Sequence, residues 1–126
     1  PVYIPPYEYY NKEIAAWAKN MGIQLINYTP GTMSNADYTT PDMGAKYRSS
    51  KFIYDKIMEV EKKEGLNGHL MLIHFGTDDR RTDKFYNGYL DKMIKTLKRK
   101  GYTFVPVLEA CVPLPLMMTT SVLNMP

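Results

Sequence analysis

Apolar positions along the chain alternate between two periods, and the alternation repeats three times. In "NKEIAAWAKNMG" the apolar residues Ile14, Trp17, Ala18 and Met21 fall at helical spacing, behind Asn11 in an N-cap position and ahead of Gly22 as a stop. A short continuous apolar run, "IQLINY", follows and predicts a strand. "SSKFIYDKIMEVEKKEG" repeats the plan: Ser49 or Ser50 caps, Ile53, Ile57 and Val60 share a face, lysines gather late, and Gly65 stops the helix. The strand "HLMLIH" comes next. "TDKFYNGYLDKMIKTLKRKG" does it a third time, with Thr82 as the cap, Phe85, Tyr86, Tyr89, Leu90, Met93, Ile94 and Leu97 as the inward stripe, and Gly101 as the stop, before the strand "YTFVPV".

Helix, glycine and apolar strand in succession imply parallel strands joined by crossover helices, an α/β class, because a parallel neighbour can be reached only by such a crossover. A full eight-stranded barrel needs about 200 to 250 residues, and 126 residues hold roughly half of one. In such folds chemistry collects at the C-terminal ends of the strands. That rule selects "YIPPYEYYN" before the first helix, the loop after Tyr28, and the loop that begins at His74. The loop from Thr29 to Ser50 is long for a strand-to-helix connection. It carries Asp37 beside Tyr38, and a carboxylate at the same rim as His74 can orient the imidazole. The competing local use of Asp37 is to close an Asx turn. For His74 the two open uses are a structural strand end and a catalytic ring at a pocket mouth.

Composition narrows the classes. The chain is 44% hydrophobic and 23% charged, which suits one domain with a modest core. The net charge of +3 is spread, except at Lys92, Lys95, Lys98, Arg99 and Lys100, where cations complement a helix C-terminus. No basic stripe suggests nucleic acid as a partner. No run of about 18 apolar residues suggests a membrane span. The single Cys111 excludes an internal disulfide and a cysteine-based zinc site. Beginning at Pro1, the chain reads as a piece of a longer polypeptide. Residues 108–126 are apolar and broken by three prolines, so they form a tail distinct from 1–107.

Taken in order, "PPY" before a helix, an aspartate beside an aromatic in the loop after the next strand, and "LIH" closing a later strand resemble the last three of five motifs of the polysaccharide deacetylases, the NodB-like carbohydrate esterases. The longer stretches "PPYEYYNKEIAAWAKNMGIQLINYTPGT" and "LNGHLMLIHFGTDDRRTDKFYNGYLDKMIKTLKRKGYTFV" are similar to a bacterial branch of that family. The resemblance covers about residues 2 to 107 and implies the C-terminal part of a distorted (β/α) barrel of seven or so strands. It implies removal of acetyl groups from a polysaccharide or oligosaccharide, assisted by a divalent metal such as zinc, in an extracytoplasmic setting. By position, His74 would be the general acid and Asp37 its tuning partner. Tyr38 and Leu72 would line the slot for the acetyl methyl, with Tyr28 as an alternative aromatic wall, and the backbone N–H of Tyr7 would stabilise the oxyanion.

Two departures bear on that reading. The family's first two motifs, which supply the base and the metal ligands, have no counterpart here, and Ile4 stands where the third motif begins with an arginine. His69 and His74 end one predicted strand that rises about 3.3 Å per residue, too far apart to share an ion. No metal ligand is therefore assigned to this chain, and the N-terminal remainder of the barrel is the expected partner that supplies them. The rival expectation is a non-catalytic carbohydrate-binding or scaffold domain derived from the same barrel. Among eleven tyrosines, Tyr7, Tyr9 and Tyr10 are the candidates for stacking on sugar. Arg80 and Arg81 are expected to anchor their own loop through Asp78, Asp79 or Asp83, with substrate contact as the alternative.

Overall fold

Strand β1 (Val2–Tyr3) lies parallel to β2 (Gln24–Leu25), with helix α1 (Lys12–Asn20) crossing between them. This computed structural model describes residues 1–107 and the backbone of 123–124. Helix α2 (Ser50–Glu64) is followed by a short turn of helix, α3 (Phe85–Gly88), then α4 (Leu90–Arg99) and β3 (Thr103–Phe104). β3 pairs antiparallel with β4 (Leu123–Asn124). The rest of the proline-broken tail and Cys111 lie outside the described residues.

The helix ends follow from local chemistry. The Asn11 side chain accepts the Ile14 N–H at 2.8 Å, and Ser49 Oγ accepts the Phe52 N–H at 3.0 Å, so each satisfies a donor that has no partner within its helix. Gly65 ends α2 with φ 77, a left-handed turn that a side chain would strain.

The third helix departs from the expectation. Thr82 is not its cap; Lys84 holds that place without a side-chain hydrogen bond. Tyr89, at φ −127, breaks the run into α3 and α4 just after Gly88, a weak helix former. The break lets Tyr89 stack on Phe85 at 6.1 Å between centroids and meet Tyr54 of α2 at 5.5 Å.

The core lies between α2 and α4. Ile53, Ile57 and Val60 pack with Leu66, Phe85, Met93, Leu97 and Tyr102. The segment 69–74 forms no regular strand, although Leu70 accepts the Thr29 N–H at 2.8 Å and its own N–H goes to Thr29 Oγ1 at 2.9 Å. Met71 and Ile73 pack on the helical core, and Leu70, Met71 and Leu72 line a small apolar cavity. On α1 only Ala18 is buried, and Trp17 stays 56% exposed. A ladder of two residues per strand offers too little surface to cover the predicted stripe. Among the described residues no helix is long and apolar enough to cross a membrane.

Candidate functional site

The long loop predicted after Tyr28 is ordered by buried polar groups. A left-handed residue, Met33 at φ 60, starts a 3-10 helix over Ser34–Tyr38, and a second runs over Pro41–Lys46. Thr32, Ser34, Asp37, Thr39 and Thr40 are all buried. Thr39 Oγ1 donates to the Ala36 carbonyl at 2.7 Å and accepts the Arg48 N–H at 3.0 Å, which closes the loop on itself.

Arg81 fixes this loop to the body of the protein. Its side chain is fully buried; Nη1 donates to the carbonyls of Thr39 (2.7 Å) and Arg48 (2.9 Å), and Nη2 donates to Ser50 Oγ at 3.0 Å. Its anchors are thus carbonyls and a hydroxyl, whereas Arg80 takes the carboxylates, Asp78 at 2.9 Å and Asp42 at 2.8 Å. Asp83 accepts the Ser50 N–H at 2.7 Å, placing negative charge at the start of α2. Hydrogen bonds from the Arg80 side chain hold Asp78 well below the usual carboxylate range. Lys84 Nζ reaches Thr77 Oγ1 at 2.7 Å and the Asp78 carbonyl at 2.9 Å, so the loop after His74 is tied at both ends.

Within this frame Asp37 and His74 meet. Asp37 Oδ2 accepts the His74 backbone N–H at 2.7 Å, and Oδ1 faces ring Nδ1 at 2.6 Å. An ionised carboxylate only accepts, so the ring proton between them sits on Nδ1. No hydrogen bond among the described residues uses Nε2, and the His74 side chain is 32% exposed against 1% for Asp37. The arrangement is a buried carboxylate that fixes one face of an imidazole and leaves the other nitrogen to an outside partner. Tyr38 meets the same ring edge-on at 5.8 Å and is half exposed.

The remaining candidates are spread out. Leu72 lines the apolar cavity of about 100 Å³ with Ile4, Ile26, Tyr28, Leu70 and Val107. Tyr38 lines a different cleft, so the two residues that the resemblance pairs in one slot open into separate concavities. Tyr7 is 96% exposed at φ 54, with Glu8 at φ 58, in a turn that costs backbone strain and holds the ring in solvent. With Tyr9, Tyr10 and Tyr28 it borders an open cleft of about 530 Å³.

A metal does not fit on these residues alone. Both Asp37 oxygens are engaged by His74, and among the described residues no three of His, Cys, Asp and Glu cluster as a donor set. Sequence reasoning missed the depth of Arg81 and the role of Asp83; the only available signal was their position in "DDRRTD", just after the candidate histidine. Comparison with protein-family models, curated proteins and solved structures finds no match for the chain.

Proposed function

We propose that this chain is the C-terminal part of a carbohydrate deacetylase barrel and carries the general-acid portion of its site. The observation that supports the reading is the Asp37–His74 pair, with Nδ1 held at 2.6 Å and the His74 side chain partly exposed. In this reading Asp37 orients the ring, and Nε2 gives a proton to the amine or alcohol leaving the acetyl carbon. Metal ligands and base come from outside this chain, from the N-terminal remainder of the barrel. The substrate is an acetylated glycan, met outside the cytoplasm.

The test is acetate release from acetylated xylo- and chito-oligosaccharides by the full-length protein, wild type against His74→Ala. Loss of a positioned acid is expected to slow release by about 10²- to 10⁴-fold. Equal rates would remove His74 from the chemistry. A second reading, glycan binding without catalysis, is favoured by the exposed tyrosines around the larger cleft. It predicts that Tyr7→Ala and Tyr9→Ala weaken oligosaccharide binding while no variant alters acetate release.

A further inference from the structure

A cleft of about 320 Å³ is bordered by Tyr38 together with Asn35, Thr39, Lys46 and Arg48. Its charge is unbalanced. Lys46 is exposed, and no ion pair among the described residues includes Lys46, Arg48 or Arg81. Arg48 Nη1 donates to the carbonyls of Ala45 (2.7 Å) and Tyr47 (2.9 Å), while its buried Nε–H has no partner among the described residues and its positive charge is left in place. The buried Arg81 guanidinium donates to Thr39, a residue that also lines the cleft, so a third cation sits behind the wall. The nearby carboxylates are committed elsewhere: Asp37 to His74, Asp42 to Arg80, and Asp83 to the start of α2.

We propose that this cleft is a subsite for an anionic group, a carboxylate or phosphate, on the glycan unit next to the acetylated one. The proposal rests on the deacetylase reading only for the ligand being a glycan. Tyr38 links the two places, since its ring touches the His74 ring and also lines the cleft, and its half-exposed face is a platform on which a sugar ring can lie. A sugar stacked there directs its substituent toward Lys46 and Arg48, where the guanidinium fork suits planar oxyanions. Asn35 and Thr39 add neutral hydrogen-bonding groups at the same wall.

The experiment is calorimetric titration of the full-length protein with oligogalacturonate, a phosphorylated chito-oligosaccharide, neutral chito-oligosaccharide and inorganic phosphate. At low salt the acidic oligosaccharides are expected to bind about tenfold more tightly than the neutral one, with the margin shrinking as salt screens the charges. Lys46→Glu should abolish the margin and leave neutral binding unchanged. Lys46 is exposed and makes no ion pair among the described residues, so the variant is expected to fold, and an unchanged ring spectrum for His74 checks it. Whichever acidic oligosaccharide binds better identifies the anion. Equal affinity for neutral and acidic ligands, or inorganic phosphate binding as tightly as either acidic ligand, would overturn the proposal. Binding is read without turnover, so failure of the His74→Ala test on acetate release would sink the deacetylase reading and leave the anion subsite standing.

Discussion

Asp37 holds His74 at two points, backbone N–H and ring Nδ1, across 37 residues of sequence. The double contact fixes both the position of the residue and the face its ring presents. Asp37→Asn separates the two functions. Its amide oxygen can still accept the His74 N–H, but its NH₂ then faces Nδ1 and drives the ring proton to Nε2. Ring ¹⁵N spectra should show Nδ1–H in the wild type and Nε2–H in the variant. Asp37→Ala leaves the His74 N–H unpaired and is expected to cost about 1–3 kcal/mol in urea unfolding.

Arg81 is the larger structural commitment. Removing its guanidinium strands the carbonyls of Thr39 and Arg48 and takes one donor from the Ser50 hydroxyl, which keeps its bond to the Asp83 carbonyl. Arg81→Met is expected to destabilise the protein by about 3 kcal/mol, the scale of breaking a buried polar network. Because Thr39 closes the loop that carries Asp37, the same variant should broaden the His74 ring signals. Arg81→Lys retains the charge and recovers only part of the loss, since one ammonium cannot span three acceptors in the fork geometry.

The loop after His74 should respond to acid. Arg80 holds Asp78 below the ordinary carboxylate value, and the Thr40 hydroxyl, with Arg80 behind it, lowers Asp42. A carboxylate lowered in the folded state contributes order fully above its unfolded value of about 4 and loses it only as the pH falls through the lower folded value. Amide exchange at Arg80 should therefore stay slow through pH 4 and accelerate below it. In Asp78→Asn the step attributable to Asp78 should be absent.

Tyr102 supplies a fourth test. Its buried hydroxyl accepts the Leu66 N–H at 2.9 Å, and a methyl group added at Gly65 would meet that hydroxyl at 3.4 Å. Tyr102→Phe should cost about 1–3 kcal/mol by orphaning the N–H. Gly65→Ala should cost about 1 kcal/mol through its left-handed φ. Thermal unfolding of both variants checks the pair.

What could be read along the chain was local. Asn11, Ser49 and Gly65 act on neighbours within a turn, so their residue types and spacing sufficed to place the ends of α1 and α2. Ile53, Ile57 and Val60 were legible as one face for the same reason. The third helix was less so, because its break at Tyr89 answers to Phe85 and to Tyr54 on another element. The apolar run 69–74 was read as a strand and does not form a regular one, because a strand is defined by neighbours that a run of apolar residues does not specify.

The candidate site divides along the same line. Residue order by itself determined that an aspartate beside an aromatic and a histidine closing an apolar run stand on two loops. Only the tertiary structure decided that Asp37 and His74 touch, that Tyr38 and Leu72 open into separate cavities, and that Trp17 lies in solvent. Caps and turns are settled by interactions over three or four residues, whereas burial and the meeting of side chains depend on which distant surfaces come together, and spacing along one chain does not encode that in any local pattern.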